Sequence, residues 1–349
     1  MKDLKVDRST IPDWGKCQAI VLVYPYKVHG RQHLMPFYDK FLKYIPEDIK
    51  IILLVKDLSV EIDLRSKCLT DGIQNTIEFV EFPQLSDIWV RDYAPLTATD
   101  MCILYPVKFK YDPSYIPGKL KASVESDDEV GSLIGKIFIH GGEHSLYFKW
   151  DMGNLTHNGK GTAIISNRLI SDNESVNFEH ELKPMLHVFL GFSKIIFIPV
   201  EPGDETGHVD GMVRFIDEKV LVVGEYPRHS ENHNFMEILA KNLKTDLDDD
   251  YTIIRLKNGE PEDYVSEGIG SAVGNHLNFL RINDLILFPY YGDRISKQPF
   301  EDFRSDLYKI NLNIHVIPVD IPEINKLARK GGVLNCISWQ VFSNYTSMK

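Results

Sequence analysis

The chain has 349 residues, of which 43% are hydrophobic and 26% are charged; this is ordinary globular usage and excludes a disordered, collagenous or coiled-coil chain. Its 39 Lys and Arg residues against 50 Asp and Glu residues give a net charge of −11, which disfavours a nucleic-acid partner and mildly favours small cationic ligands. No apolar run is long enough to cross a bilayer, and residues 1–15 lack the apolar core of a secretion signal, so the sequence predicts a soluble, cytoplasmic protein without a membrane partner.

Strand-like runs rich in Val, Ile, Phe and Tyr recur from end to end, often bounded by Gly, Pro, Asn or Asp. These runs are 20–25, 51–53, 77–83, 103–109, 162–166, 195–200, 220–223, 251–256, 285–291 and 314–319. The helical patterns between them are 32–44, 179–190, 232–242 and 301–309. Two acidic runs, 126–129 and 248–250, are interpreted as solvated loops. Because several strands are joined by turns of hairpin length, the sequence predicts an α/β fold with mixed rather than purely parallel strands.

Three of the predicted hairpins resemble one another and begin at Gly153, Gly207 and Gly274. Each has a glycine, a polar residue, an apolar residue close behind, a turn rich in Asn, Asp, Gly or Lys, and then a buried strand. They recur at roughly 50 to 70 residues, near the range associated with repeat architectures. About five such units would fill the chain, so the pattern favours one closed domain over residues 1–349 rather than two domains.

The cysteines and two histidines bear on metal binding. The four cysteines are far apart and form no Cys-x-x-Cys pair, so a structural zinc site of the usual spacing and a disulfide framework are both disfavoured. They are Cys17, Cys68, Cys102 and Cys336. His140 and His144 have the spacing of zinc ligands on a helix, but the two glycines between them argue against a helix. Metal binding is therefore the weaker interpretation.

Short polar motifs occur where the units begin, or where the last one ends. They are 87–92 (DIWVRD), 150–154 (WDMGN), 207–211 (GHVDG) and 331–336 (GGVLNC). In a radial repeat the unit starts converge on the axis, so residues distant in sequence would share one pocket. The motifs supply Asp87, Asp92, Asp151, Asp210, His208 and Cys336.

These residue types together suit one kind of chemistry. A cysteine with a nearby histidine is the minimal pair of nucleophile and base, and Cys336 would need a lowered pKa to act as a thiolate. His208 and Asp210 are two positions apart and would face the same way on a strand. Spare carboxylates suit a guanidinium, because a carboxylate accepts two of its N–H groups in parallel. The sequence therefore predicts a planar cation held in front of the sulfur, with its charge depressing the pKa of the thiol.

Each motif by itself also has a structural interpretation. Asp87 and Arg91 could form an exposed ion pair, His208 could be a half-buried histidine without a catalytic role, and Cys336 could be a small core residue. The occurrence of all the motifs at the boundaries of repeat units favours the catalytic interpretation.

The same motifs resemble the agmatine deiminase family, which also contains the bacterial-type peptidylarginine deiminases and belongs to the guanidino-group-modifying, or pentein, superfamily. The resemblance covers nearly the whole chain, and the matching segments follow one another in the family's order. These segments are 11–26, 87–95, 151–164, 203–215, 275–280 and 331–338.

The resemblance implies a five-bladed α/β propeller with an axial active site. In that site Cys336 would be the nucleophile, His208 the general acid and base, Asp92 and Asp210 the clamp on the guanidinium, and Asp151 the acid that orients His208. The reaction implied is hydrolytic deimination through a covalent amidino-thioether on Cys336, with release of ammonia and a ureido product. No metal or organic cofactor is implied.

The substrate is less closely defined. Asp87, Trp89 and Asn154 complete the predicted substrate-binding set, and agmatine, converted to N-carbamoylputrescine, is the leading substrate. The chain departs from the family at 151–153, where Asp-Met-Gly replaces Glu-Gly-Gly, and at 333–335, where Val-Leu-Asn replaces Asn-Ile-His. The divergent segment 107–117 could shape the pocket entrance.

Other activities therefore stay open: peptidylarginine deimination, amidino transfer, or guanidine binding without catalysis. The sequence does not decide whether the chain forms a homo-oligomer.

Overall fold

The structure is a computed structural model that describes residues 8–343 except 101 and 261. The strands are β1 (Ser9–Thr10), β2 (Cys17–Val23), β3 (Lys50–Val55), β4 (Ile77–Glu81), β5 (Leu96–Thr99), β6 (Leu104–Lys110), β7 (His144–Lys149), β8 (Leu155–His157), β9 (Thr162–Ser166), β10 (Lys194–Ile198), β11 (Val213–Asp217), β12 (Val220–Glu225), β13 (Thr252–Lys257), β14 (Val265–Ser266), β15 (Ile269–Gly270), β16 (Leu280–Ile282), β17 (Leu285–Pro289), β18 (His315–Val319) and β19 (Ser338–Phe342).

The α-helices are α1 (Met35–Phe41), α2 (Glu61–Thr70), α3 (Val90–Tyr93), α4 (Lys121–Phe138), α5 (Arg168–Ser171), α6 (Lys183–Leu190), α7 (His233–Asp246), α8 (Asp293–Lys309) and α9 (Ile324–Ala328). Single turns of 3-10 helix lie at Gln32–Leu34, Leu42–Tyr44, Leu58–Val60, Gly118–Leu120, Met152–Asn154 and Val209–Gly211, and a π-helical turn lies at Phe178–Leu182. None of the helices in the described part of the chain is long and apolar enough to span a bilayer.

Within the described residues, the strands form five sheets of three or four strands and one separate two-stranded hairpin. The sheets have the orders β1-β5-β6-β7, β10-β9-β8, β11-β12-β13, β16-β17-β18 and β19-β2-β3-β4, and the hairpin is β14-β15. Each sheet contains an antiparallel pair followed, across at least one helix, by a parallel strand. The predicted mixed α/β class is thus confirmed, and the three hairpins predicted from the sequence are the antiparallel pairs β8–β9, β11–β12 and β16–β17.

The sheet β19-β2-β3-β4 joins the two ends of the chain. Strand β19, close to the C-terminus, pairs antiparallel with β2, close to the N-terminus. Residues 19–23 of β2 are buried on both faces because helices and neighbouring strands cover the sheet, which accounts for their nearly unbroken apolar sequence. The turn that precedes β19 contains Cys336, so this pairing places Cys336 beside the N-terminal part of the fold.

The prediction of a solvated loop at 126–129 is wrong, because these residues lie within α4. Asp127 is only 3% exposed, and its Oδ1 accepts a hydrogen bond from the backbone N–H of Ser86 at 2.8 Å. Asp128 pairs with the buried Lys108. Partners distant in sequence thus stabilise carboxylates that look solvated in a local reading. The other acidic run, 248–250, is an exposed loop as predicted.

Candidate active site

Five polar residues from five sheets converge on one region. Each of them lies in the few residues that precede the first strand of a hairpin: Asp92 before β5, Asp151 before β8, His208 before β11, Asn278 before β16 and Cys336 before β19. Their convergence follows from the repeated hairpin, because the same position in each unit lies at the same end of its sheet. Four of these residues are predicted from the sequence, and Asn278 is not.

Two neighbouring cavities meet at Cys336 and His208, which line both of them. The larger cavity, of about 150 Å³, is also lined by Asp210 and Asn278. The smaller cavity, of about 80 Å³, is also lined by Trp89 and Asp92. A ligand that bridges the cavities would therefore pass directly over the sulfur and the imidazole.

His208 lies between two carboxylates. Its Nε2 is 2.9 Å from Oδ2 of Asp151, and its Nδ1 is 3.9 Å from Oδ1 of Asp92. Burial disfavours the charged ring, but the charges of Asp151 and then Asp92 outweigh it and raise the pKa of His208 well above its usual value. The two carboxylates therefore favour the protonated imidazolium, which has a proton to donate.

The two carboxylates beside His208 have different environments. Burial raises the pKa of Asp92 to about 7 against the opposing charge of His208, and Oδ1 of Asp92 accepts no hydrogen bond from the described residues. Burial also disfavours the Asp151 carboxylate, but the charge and hydrogen bond of His208 and the hydroxyl of Tyr115 lower its pKa. The contacts of Asp151 therefore favour its ionised form as the partner of His208, whereas Asp92 has a buried oxygen that a cationic ligand could satisfy.

The structure shows where the three residues of the divergent segment 151–153 lie relative to His208. Asp151 is shorter than the usual Glu, yet it still reaches the imidazole at 2.9 Å. Met152, in place of Gly, faces away from the two cavities, toward Asp13 and Arg91. Gly153 is retained, and a Cβ there would lie 2.4 Å from Nδ1 of His208 and 2.9 Å from Oδ1 of Asp92. Only glycine allows this close approach of the backbone to the histidine.

Cys336 is a buried thiol with polar neighbours. Its Sγ is 3.2 Å from Nδ2 of Asn278 and 3.9 Å from Oδ2 of Asp210. Burial, and then the charge of Asp210, raise the pKa of Cys336 to about 11. His208 lowers this pKa but does not outweigh burial and Asp210, so the neutral thiol is favoured and a further cation would favour the thiolate.

Asp210 is held in place by two side-chain amides. Its Oδ2 accepts hydrogen bonds from Asn278 at 3.2 Å and from Asn335 at 2.6 Å. Asn335 replaces the histidine that the family pattern has before the cysteine, and it occupies that position as a hydrogen-bond donor to Asp210. Asp210 is 2% exposed and lines the larger cavity, and the two amides fix the orientation of its carboxylate there.

The predicted substrate-binding residues Asp87, Trp89 and Asn154 occupy different environments. Trp89 lines the smaller cavity. Asp87 also lines it, but both of its carboxylate oxygens accept hydrogen bonds from Arg31, at 2.8 and 3.0 Å. Asn154 lines neither cavity: it is fully buried, and its Oδ1 accepts a hydrogen bond from the backbone N–H of Ser166 at 2.9 Å. This structure therefore places Asn154 in the packing behind the site, because its side chain points toward β9.

Sequence reasoning missed Tyr115 and Asn278. The hydroxyl of Tyr115 donates to Oδ2 of Asp151 at 2.9 Å and lies 3.4 Å from Nε2 of His208. Tyr115 belongs to the divergent segment 107–117, and Tyr111 and Ile116 from this segment also line the smaller cavity. Asn278 could have been found from the repeat, because it occupies the unit opening equivalent to that of His208.

The larger cavity has a strongly acidic lining. Glu201, Asp204, Glu205 and Asp210 contribute to it, and none of the described residues that line it is Lys or Arg. Burial raises the pKa of Glu201 to about 7. Such a lining attracts a ligand that carries positive charge.

The described residues contain no group of three or more His, Cys, Asp and Glu side chains placed to hold a metal ion. His140 precedes β7 and His144 begins it, so the two histidines do not lie on a helix. The ring of His144 packs against Tyr105 and Phe189. The spacing that suggested zinc ligands therefore has no helical geometry behind it.

The chain is similar to known proteins over most of its length. Residues 9–341 match the family model of the Porphyromonas-type peptidyl-arginine deiminases. The solved structure of agmatine deiminase from C. jejuni is similar with 21% identity and a TM-score of 0.78, covering 97% of each chain. A cysteine-to-serine variant of that enzyme with substrate bound has 20% identity and a TM-score of 0.79, covering 97% of each chain. Agmatine deiminase of Enterococcus faecalis has 17% identity and a TM-score of 0.78, also covering 97% of each chain. No curated protein matches the chain.

Proposed function

Because the chain belongs to the Porphyromonas-type peptidyl-arginine deiminase family, we propose that it hydrolytically deiminates a small guanidino compound, with agmatine as the preferred substrate. The observation that carries this proposal is the meeting of Cys336 and His208 where two cavities join, beside an Asp92 oxygen that accepts no hydrogen bond from the described residues. In the proposed complex Asp92 and Asp210 hold the guanidinium from the two cavities. Its central carbon then faces the sulfur of Cys336.

Substrate binding activates the nucleophile in this proposal. Burial and the charge of Asp210 keep the thiol of Cys336 protonated, with a pKa of about 11. A guanidinium beside the sulfur compensates the charge of Asp210 and stabilises the thiolate, so the thiol proton leaves to solvent when the cation binds. Reactivity is thereby confined to the complex with a cationic substrate.

The chemical steps follow from the charged state of His208. The thiolate attacks the guanidinium carbon and forms a C–S bond, and the imidazolium donates a proton to one amino group. The C–N bond breaks and ammonia leaves, which yields the amidino-thioether. The now neutral imidazole accepts a proton from water as the water attacks the same carbon. The C–S bond then breaks as the hydroxyl group of the intermediate loses its proton to solvent, and the neutral ureido product and the thiolate separate.

The preference for agmatine rests on charge. Agmatine has a second positive charge and no carboxylate, and the larger cavity offers Glu201, Asp204 and Glu205 without a lining Lys or Arg among the described residues. The hydrogen bonds that Asp204 accepts come from a hydroxyl and backbone N–H groups rather than from cations. A free amine would relieve the repulsion among these acids, whereas the carboxylate of arginine would add to it.

We also propose that the five sheets are the blades of a propeller around an axial site, within one domain over residues 1–349. Two observations support this arrangement. Every sheet repeats the order of hairpin, helix and parallel strand, and every sheet contributes one polar residue to the same site from the segment before its hairpin. The pairing of β19 with β2 would close the ring.

The experiment is a substrate panel of agmatine, arginine and an arginyl peptide, with ammonia and the ureido product both assayed. We expect turnover of agmatine above the others, and Cys336→Ala should lower it by roughly 10⁴-fold or more. Turnover of the peptide alone would indicate peptidylarginine deimination, and capture of the amidino group by an added amine would indicate amidino transfer. Absence of turnover with every guanidine, with no adduct of a haloamidine on Cys336, would contradict the proposal and indicate a binding protein.

A further inference from the structure

We propose that Asn278 is a further catalytic residue, whose side-chain amide donates a hydrogen bond to the sulfur of Cys336 and stabilises the thiolate. The inference depends on the proposed deimination for the reaction that the thiolate carries out, but the hydrogen bond to the sulfur does not depend on it. The contact itself is between side chains that come together from different hairpin units of the fold.

The amide of Asn278 serves the nucleophile and the predicted clamp together. Its Nδ2 is 3.2 Å from Sγ of Cys336 and 3.2 Å from Oδ2 of Asp210. An amide NH₂ group has two N–H donors, so one can point to each acceptor. The group thus contacts both the sulfur and the carboxylate that raises the pKa of the thiol.

The orientation of this amide is fixed by the turn that contains the cysteine. Oδ1 of Asn278 accepts hydrogen bonds from the backbone N–H groups of Val333 at 3.1 Å, Asn335 at 3.1 Å and Cys336 at 3.3 Å. A flipped amide would place its NH₂ group against three N–H donors, which excludes that orientation. Nδ2 must therefore face the sulfur.

The backbone on either side of Asn278 is held as well. Nη1 of Arg214 donates to the carbonyl of Phe279 at 2.8 Å and to that of Leu277 at 3.3 Å. Arg214 is itself paired with Asp13. The donor consequently has little freedom to move when the sulfur changes charge, and such preorganised donors stabilise developing charge more effectively than mobile ones.

A purely structural role, here called a staple, would also explain the three hydrogen bonds to Oδ1, because they hold the turn from Val333 to Cys336 in place. The two roles differ in what Nδ2 does. A structural staple leaves the ionisation of Cys336 unchanged as long as the turn is folded. A catalytic donor lowers the pKa of the thiol, because a buried thiolate loses stability when its hydrogen-bond donor is removed.

The test compares Asn278→Asp and Asn278→Ala with the wild-type enzyme. Asn278→Asp retains an acceptor for the three backbone N–H groups but replaces the donor with a carboxylate, whose charge by itself raises the pKa of the thiol. Asn278→Ala removes the donor and the acceptor without adding a charge, so the folded Asn278→Ala variant decides between the two roles. The readout is the rate of alkylation of Cys336 by iodoacetamide between about pH 7 and pH 10, followed by mass spectrometry of its peptide because Cys102 is exposed and also reacts. We expect the apparent pKa of Cys336 to rise by about one unit, which lowers the alkylation rate about tenfold at a given pH.

Asn158→Ala is the matched control. Asn158 is also a buried asparagine, and its Oδ1 accepts hydrogen bonds from the backbone N–H groups of Lys160 at 2.9 Å and Thr162 at 3.0 Å, but it lines neither cavity. It should lose stability without a change in the reactivity of Cys336. In the Asn278 variants the kcat for agmatine should fall at least tenfold with a smaller change in KM.

An unchanged alkylation profile in the folded Asn278 variants would overturn the proposal and leave Asn278 as a staple. A second readout needs no variant to fold: the side-chain amide resonance of Asn278 in wild-type enzyme should shift as Cys336 ionises, and a constant resonance would also overturn it. Alkylation requires no guanidine turnover. Failure of the substrate panel therefore contradicts the proposed function, whereas an unchanged pH dependence of Cys336 alkylation in the Asn278 variants contradicts this inference.

Discussion

The two cavities that meet at Cys336 both contain carboxylates, but these carboxylates are neutralised differently. Beside the smaller cavity, Arg31 binds Asp87 through two hydrogen bonds and Glu267 through two more, at 2.8 to 3.0 Å. The hydrogen bonds of Arg31 lower the pKa of Glu267 to about 2. In the larger cavity burial raises the pKa of Glu201 to about 7, and none of the described lining residues is Lys or Arg.

This difference separates acids that hold the fold from acids that await a ligand. A carboxylate that is paired with a buried arginine has its charge satisfied within the protein and has little to gain from a substrate. A buried carboxylate without a cation is destabilising until a positive ligand arrives. From the sequence alone, Asp87 and Asp210 are equally good candidates for binding the substrate. The ion pair of Asp87 with Arg31 in the folded structure distinguishes them.

Among the tests of this comparison, the largest expected effect is in Asp210→Asn compared with Asp87→Asn. Asp210→Asn removes a charge in a cavity that no Lys or Arg of the described residues lines, so kcat/KM for agmatine should fall by roughly 10² to 10³-fold through both binding and rate. Asp87→Asn removes a charge that Arg31 already neutralises, and kcat/KM should fall by less than about tenfold. Steady-state kinetics on the pair is the measurement, and equal losses would show that the comparison between the cavities is wrong.

A second test concerns the point where the two regions meet. Gly153→Ala would place a Cβ 2.4 Å from Nδ1 of His208, so the imidazole must move from its position between Asp92 and Asp151. We expect a loss of kcat by about 10 to 100-fold, because a displaced acid transfers its proton less efficiently. Gly142→Ala is the control, since a Cβ there meets nothing within 4 Å and kcat should not change.

The third prediction addresses the paired acids of the smaller cavity. Arg31→Met leaves Asp87 without its cation and leaves Glu267 with Lys330 alone, whose Nζ is 3.4 Å from Oε1 of Glu267. Arg31 itself is only 7% exposed in its side chain. Because Asp87 and Glu267 are partly solvated, we expect the free energy of unfolding to fall by about 2 kcal/mol, less than for a fully buried pair. Urea unfolding at neutral pH measures this change. Unaltered stability would mean that these ion pairs do not hold the fold.

The smallest effect is expected in Glu201→Gln and depends on pH. The pKa of Glu201 is about 7 in the folded protein, against about 4.5 for an ordinary Glu, so the folded state binds the proton more tightly. Its contribution to stability is present below about pH 4.5 and is lost as the pH rises through about 7. Glu201→Gln should therefore be more stable than wild type by about 1 to 2 kcal/mol above pH 7, and the gain should shrink toward pH 5.

Urea unfolding of wild type and Glu201→Gln across this pH range checks the prediction. Agmatine at saturating concentration should reduce the difference, because its amine would compensate the wild-type carboxylate. A difference that is independent of pH would show that Glu201 is not an uncompensated acid.

The elements that could be predicted are those encoded by short sequence patterns. The runs at 51–53 and 162–166 lie within β3 and β9, and the turns rich in Asn, Asp and Gly join antiparallel pairs. The helix predicted at 301–309 begins earlier, at Asp293, and includes Pro299, whose effect on the surrounding helix could not be judged locally. Helix α4 was missed because acids that look solvated, Asp127 among them, have partners in another segment.

The same division applies to the candidate site. His208, Asp92 and Cys336 were predicted because each lies in a short polar motif at a unit boundary, and the fold brings them together. Arg31 and Asp87, which form an ion pair, are 56 positions apart in the sequence, and Asn278 and Cys336, which are in contact, are 58 positions apart. No local pattern encodes such pairs.

The amino-acid sequence by itself determined the mixed α/β class, the hairpin units and most of the polar residues at their openings, because strand period and turn chemistry act over a few neighbouring residues. Only the tertiary structure decided which carboxylates are already neutralised, that Asn154 points away from the cavities and that an amide faces the sulfur. These outcomes depend on which units become neighbours in space, and at short range the energy of a charge is set by its partners and its burial rather than by its position in the chain.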